Sequence, residues 1–403
     1  MNAQISIIAS LSQSPTPHDG TYSLIHIPLD IYSSLLQPIL RTLLPQTYTV
    51  RVTAEGPDFS PGGLTHGQHG FLNITITPLE CSIVCHHEWA RNVFMPVIST
   101  LPEGRTGQVT ISKDTYMVLS VISAGMDAAS RVMELTSPLA LAGIPIFFIT
   151  TYYSDFICVP TKERHNVNST LLAHGFQLSS ENGSSYVPPG FLGYPSSTNS
   201  AEALSPTSDS SPGTPLPSNV DELMSRTFDL LRKRAVVPYA EVDLELVQCS
   251  GRDHEMQNSE LRAPAHAIHG RRGSAPRGWI DTADTSLYTG IISALVSHPR
   301  FCSVTLAQED PPSLLLDRKL LPFFGNSLVG DFESTMTPIF LDLTNLPTEV
   351  TGIVCGVAGR LLHEMKMESS SELSYLSTAK AGSVILSEIQ AKRALEILKP
   401  IVE

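Results

Sequence analysis

Ile146-Phe-Phe-Ile-Thr-Thr-Tyr-Tyr-Ser-Asp-Phe-Ile-Cys-Val-Pro160 reads as a strand over 146–151, a polar elbow over 152–155 and a returning strand over 156–160. β-Branched and aromatic residues crowd both arms, as strands packed on a sheet core require. The elbow carries two tyrosines, a serine and an aspartate, side chains able to recognise something outside the chain. A fainter copy lies near the C-terminus, Leu373-Ser-Tyr-Leu-Ser-Thr-Ala-Lys-Ala-Gly-Ser-Val-Ile-Leu-Ser387.

Other stretches repeat at a nearly constant spacing. Phe71-Leu-Asn-Ile-Thr-Ile-Thr-Pro matches Phe301-Cys-Ser-Val-Thr-Leu-Ala-Gln, Met117-Val-Leu-Ser-Val matches Ile339-Phe-Leu-Asp-Leu, and Thr150-Thr-Tyr matches Ser377-Thr-Ala. Jointly they argue for an internal duplication. Within each half the expected order is strand–helix–strand–strand–helix–strand, the split βαβ or ferredoxin-like unit.

The remaining elements fit that outline. Strands are expected at 4–11, 21–27, 81–86, 116–123, 241–248, 301–307 and 338–343, a strand running into a short helix at 313–321, and helices at 29–44, 88–101, 126–141, 164–174, 287–298, 349–365 and 389–401. Pro138 should bend or end its helix. Gly352, Gly356, Ala358 and Gly359 give the 349–365 helix a thin face. Residues 177–218 are Ser-, Pro- and Gly-rich and read as a disordered linker. A helix capped at Ser218 and Asn219 follows, with Asp221 and Glu222 in its first turn and Arg232-Lys-Arg in its last. A second loose insert, 249–285, carries five arginines.

Composition narrows the function. The chain has 403 residues, 42% of them hydrophobic, and a net charge of −13. That allows several cores and argues against a phosphate-backbone partner. The longest apolar run, Pro138 to Ile149, contains Pro145 and is too short for a bilayer. Without a cationic, apolar leader the chain is expected in the cytoplasm.

Chemistry-bearing motifs are sparse. Cys81-x-x-x-Cys85-His-His lies on a predicted strand, which spreads the two thiols about 13 Å apart at ~3.3 Å per residue. One zinc, with bonds of ~2.3 Å to sulfur, does not reach both. His87-Glu88 and His363-Glu364 begin HExxH but lack the second histidine. With no GxSxG, P-loop or GxGxxG, the expectation is a non-enzymatic protein without metal or cofactor.

Ser137-Pro-Leu-Ala through Pro160, together with Gly352-Ile-Val-Cys-Gly-Val-Ala-Gly-Arg-Leu-Leu, resembles the tandem ACT-domain proteins, specifically the CASTOR family of cytosolic arginine sensors. The resemblance implies an α+β fold of four ACT (ferredoxin-like βαββαβ) units in two tandem pairs. The units would span 1–105, 106–177, 236–330 and 331–403, with the linker and its helix at 178–235 and the insert at 249–285. It also implies an effector site between the second and fourth units and a GATOR-like signalling partner upstream of a TOR kinase. The family's ligand residues fall on Glu134, Leu135, Glu349, Val350, Thr378, Ala379 and Gly382. Ala379 and Gly382 replace an aromatic residue and an acid, which argues against arginine, because a guanidinium buried without a carboxylate is costly.

Tyr152, Tyr153 and Asp155 are the expected partner contacts. Ser205, Ser211 and Thr214, each followed by proline, and Ser274 after Arg271-Arg-Gly are candidate phosphorylation sites. A homodimer is expected because open sheet edges seek partners. The favoured function is an amino-acid-sensing regulator of a protein partner in TOR-type signalling. The alternatives are an aspartate-kinase-like regulatory module of amino-acid biosynthesis and a ligand-free scaffold.

Overall fold

The computed structural model describes residues 4–8, 21–44, 51–53, 56–58, 70–122, 130–179, 216–252, 284–307, 310–347, 350–366 and 372–402. Residues 180–215 of the expected linker and 253–283 of the expected insert, with Ser205, Ser211, Thr214 and Ser274, and also Glu349, lie outside the described residues; 249–251, expected in the insert, continue a strand.

Twelve strands form one ring. They are β1 Tyr22–Ile27, β2 Phe71–Ile76 and β3 Cys81–His86, then β4 Tyr116–Ile122, β5 Phe147–Thr150 and β6 Asp155–Pro160. The second half supplies β7 Leu246–Gly251, β8 Cys302–Ala307 and β9 Ser313–Asp317, then β10 Met336–Asp342, β11 Ser374–Ser377 and β12 Ala381–Ser387. Neighbours run β4-β6-β5-β11-β12-β10-β7-β9-β8-β2-β3-β1, and Tyr22 of β1 pairs with Tyr116 of β4, so the sheet closes on itself. Gln4–Ile8 and Gln177–Ser179 extend it beyond β4. The joint between the halves at β2 and β8 is long, from Phe71↔Ala307 to Ile76↔Cys302. The joints at Leu246↔Met336 and Ile149↔Leu376 are single register pairs.

Alternation puts one face of every strand inside the ring. Along β1, Tyr22 and Leu24 join the inner core while Ile25 and Ile27 face the helices; along β6, Phe156 and Cys158 face inward while Ile157 and Val159 face outward. Outside, α1 (Tyr32–Leu43) and α5 (Thr285–Val296) cover the first and third strand groups, sharing one core with β1–β3 and β7–β9. The second and fourth groups share another under α2 (Arg131–Leu141), α3 (Arg164–Ala173), α4 (Val220–Lys233), α6 (Ile353–Met365) and α7 (Glu388–Val402). Units adjacent in sequence therefore do not share a helical core. The first packs with the third and the second with the fourth.

β7 begins five residues later than its alternating pattern suggests, because Asp243 turns the chain with φ 57° and Tyr239 makes an isolated bridge to Phe340. Pro138 sits inside α2 and does not end it. All six cysteines are free and buried, and burial pushes the thiols of Cys85, Cys158, Cys249 and Cys302 up to about 12, so they act as small hydrophobes. No helix among the described residues is long and apolar enough to cross a membrane.

α4, the helix after the linker, docks on the body. Asn219 caps it through the Glu222 N–H. It lies on the thin face of α6. A Cβ at Gly356 would come within 2.8 Å of Thr227, and one at Gly352 within 2.7 Å of Leu223. The glycines noted in the sequence are thus where two helices approach most closely.

Candidate functional site

A cavity of about 560 Å³ opens between the second and fourth strand groups. Its size lies in the usual range for a small-molecule site. α2 and α6 run antiparallel, so the C-terminal end of one (Ala140) meets the N-terminal end of the other (Gly352–Cys355) at the cavity wall. Pro145 to Phe147, at the start of β5, form a second wall, and Tyr375 with Ser377–Ala381 a third.

The start of α6 is built to receive something. Gly352 is its N-cap in the left-handed conformation, φ 85°, and makes no side-chain capping bond. The first N–H groups of a helix have no intrahelical acceptor, and the dipole makes that end electropositive. Tyr375 lines the same cavity, is 1% exposed, and its hydroxyl has no hydrogen-bond partner. Burial raises that phenol well above its ordinary value, keeping it a neutral donor and acceptor.

The third wall is locked by the first strand group. Glu80, fully buried in the turn between β2 and β3, accepts through Oε1 from the Thr378 hydroxyl at 2.6 Å and the Lys380 N–H at 2.5 Å. Its Oε2 meets His26 Nδ1 at 2.5 Å, and Ser82 Oγ accepts from the Ala379 N–H at 3.1 Å. Two polar pairs at the cavity are thus internally matched: His26 with Glu80, and Lys162 with Asp114 at 2.9 Å.

The expected ligand residues divide between the two ends of α2. Val350, Thr378 and Ala379 line the cavity. Gly382 stands just behind its wall: a Cβ there would lie 2.3 Å from the Tyr375 hydroxyl, so the phenol fills the space that an acid at 382 would need. Glu134 and Leu135 lie elsewhere, a correction to the expected site. They occupy the N-terminal end of α2, which the antiparallel packing carries away from the cavity. Glu134 accepts from Ser130 Oγ at 2.7 Å, and Leu135 is fully buried in the core. Pro145, Ile146, Tyr375 and His26 were not singled out as ligand residues, whereas Lys380 was expected to favour an acidic or uncharged ligand. The one signal for Tyr375 was a glycine inside a strand, which marks close approach.

On the other elbow, Tyr152 and Tyr153 are exposed, 37% and 49%, with their rings edge to face at 4.8 Å. Asp155 does not join them. It opens β6, is 1% exposed, and pairs with Arg131 at 2.6 Å. Burial raises its carboxyl to about 6, against the pull of Arg131 and the Thr150 hydroxyl.

The ACT-domain profile matches residues 111–173, which hold β4 to β6, α2 and α3. This stretch is an ACT domain. Curated protein sequences show no match. Among solved structures, a structural-genomics protein of Agrobacterium tumefaciens aligns at 16% identity over 46% of this chain and 99% of its own, TM-score 0.26. The aspartate kinase of Synechocystis aligns at 11% identity, over 99% of this chain and 56% of its own length, TM-score 0.31. A putative C-terminal regulatory domain of aspartate kinase from Porphyromonas gingivalis aligns at 10% identity, over 43% and 96%, TM-score 0.25.

Proposed function

We propose that this chain is a non-enzymatic, cytoplasmic regulator whose protein contacts respond to a small amino-acid-like effector held between its second and fourth strand groups. One observation carries the reading: the cavity lies where the uncapped N-terminus of α6 faces the hairpin containing Thr378 and Ala379, the wall that Glu80 fixes from the first group. Backbone donors at a helix start bind a carboxylate. Because the cavity is walled by two strand groups and α6 also carries α4, an occupied cavity adds a ligand-mediated tie between groups whose strands join at one register pair and whose helices share a core. Occupancy then changes the surface around α4 and the Tyr152–Tyr153 elbow, the surface that a partner reads. The resemblance of Ser137–Pro160 to the CASTOR family makes a GATOR-like complex in TOR-type signalling the partner of choice.

A thermal-shift screen of the full chain against the twenty amino acids tests the ligand half of this reading. An effector at 100 times its Kd stabilises by about 2.7 kcal/mol, a rise of several degrees. Flat curves with all twenty leave a scaffold. Recovery of signalling-complex subunits with the tagged chain, lost on adding the effector, tests the partner half; recovery of a biosynthetic kinase in their place would refute it.

A further inference from the structure

The charges around the cavity specify which kind of effector it takes. Among the described residues, four basic side chains line it, His26, Lys113, Lys162 and Lys380, together with one carboxylate, Asp114. Asp114 is paired with Lys162. Glu80, which fixes the third wall, has both oxygens engaged by His26, Thr378 and the Lys380 N–H. What remains is the positive charge of Lys113 and Lys380 and the open end of α6. No described carboxylate at the cavity is left to meet a cationic side chain, and the space at Gly382 where one could stand is filled by the Tyr375 phenol.

We infer that the effector is a small amino-dicarboxylic acid, of the aspartate or glutamate class. This rests on the cavity being an effector site. One carboxylate takes the N–H groups at the start of α6; the second is met by the ammonium groups of Lys380 and Lys113, and the unpartnered Tyr375 hydroxyl accepts from the ligand's amine. Each group then gains a partner that it lacks. Charge-assisted bonds in a part-enclosed site are the strong ones. A net-positive amino acid brings repulsion from both lysines instead. His26 and Glu80 act as positioning residues: they hold the hairpin whose tip carries Lys380.

Calorimetric titration of the full chain with L-glutamate, L-aspartate, L-glutamine, L-arginine and sodium sulfate separates the outcomes. The expected result is binding of one of the two acids, with glutamine and arginine at least tenfold weaker. Lys380→Met and Lys113→Met, at exposed or half-buried positions, should each weaken it about tenfold while the melting temperature of the free protein stays unchanged. Preferential binding of arginine or glutamine overturns the charge assignment but leaves the effector site standing. Sulfate binding as tightly as the acids reduces the site to a bare anion site and also overturns it. Unchanged affinity in both lysine variants overturns the placement. Absence of heat with every amino acid, matched by flat melting curves, overturns the effector reading itself.

Discussion

The two hairpins that correspond between the halves keep the same backbone and differ in what surrounds it. In the first, the Thr151 N–H bonds to the Ser154 carbonyl at 3.0 Å; in the second, the Thr378 N–H bonds to the Ala381 carbonyl at 2.8 Å. Each tip is clasped from the neighbouring group by a serine hydroxyl, Ser313 on the Tyr152 N–H and Ser82 on the Ala379 N–H. The pairing registers make Asp155 the counterpart of Gly382, since they face Thr150 and Ser377 respectively. Phe148 and Tyr375 correspond in the same way, and Pro311 stands where the other half has Glu80. The first hairpin is closed by its own ion pair, Arg131 with Asp155. At the second, the acid is gone, a phenol fills the gap, and the lock moves to Glu80 and His26. One copy became self-sufficient; the other became a cavity wall.

If that asymmetry is real, the second hairpin depends on Glu80 more than the first depends on any one residue. Glu80→Ala removes a fully buried carboxylate and leaves His26 and the Lys380 N–H without their acceptor, while the Thr378 hydroxyl falls back on the Ala381 carbonyl at 3.1 Å. Leaving a buried donor without its partner costs about 1–3 kcal/mol. Urea unfolding should show a loss of that size, with no thermal response left to any effector. A loss below about 1 kcal/mol would mean that the hairpin holds itself, as the first one does.

How much of this was readable from the sequence follows from the range over which each cause acts. The hairpins, their helices and the duplication are written in local patterns: β-branched runs, a capping Asn219 and glycines that thin α6. The closure of the ring is not, because three of its joints rest on single register pairs between distant strands, and no local period encodes them. The same holds for Glu80, one carboxylate in a Pro-Leu-Glu turn whose partners lie some 300 residues away. A cavity lies between the second and fourth groups, where the resemblance implied an effector site. Which end of α2 faces that cavity was not legible, since direction of packing is a tertiary fact; Glu134 and Leu135 stand at the other end for that reason.

The next test addresses the first hairpin. The folded protein holds the Asp155 proton more tightly than the unfolded chain does, with the carboxyl at about 6 against an ordinary 3.8. Its contribution to stability is therefore complete below the unfolded value and is lost as pH rises through about 6. Asp155→Asn removes that dependence. The stability of the variant relative to the parent should improve between pH 4 and pH 7 by about 2–3 kcal/mol, at 1.36 kcal/mol per pKa unit. A difference that stays flat, or that runs the other way, would mean that Arg131 outweighs burial and that the pair is a true stabiliser.

Gly382→Ala probes the phenol that replaced the acid. The new Cβ would stand 2.3 Å from the Tyr375 hydroxyl and 3.2 Å from the ring carbon bearing it. Overpacking of this kind costs about 1–3 kcal/mol. Tyr375→Phe in the same background should recover more than half of it, and Tyr375→Phe alone should be close to neutral, because its hydroxyl has no partner to lose. If the single Phe variant is strongly destabilised, the hydroxyl has a role in the empty protein that this geometry does not give it.

The smallest expected effect on stability is at the first elbow, and its smallness makes the test useful. Tyr152 and Tyr153 touch each other and solvent, and the bond that anchors the elbow to Ser313 comes from the Tyr152 backbone, which alanine keeps. Substitution of an exposed side chain usually stays within ±0.5 kcal/mol. Tyr152→Ala and Tyr153→Ala should therefore melt with the parent and bind the effector with parental affinity. Two adjacent exposed tyrosines on a rigid turn are the type of group that dominates an interface when buried by a partner. If the closed hairpin serves recognition while the open one serves the effector, these variants lose the co-purifying partner and nothing else. Retention of the partner by the double variant would separate the two hairpins in a different way: the Tyr152–Tyr153 elbow would then be only the structural half of the pair, and the partner surface would have to be sought around α4, where effector occupancy is felt most directly.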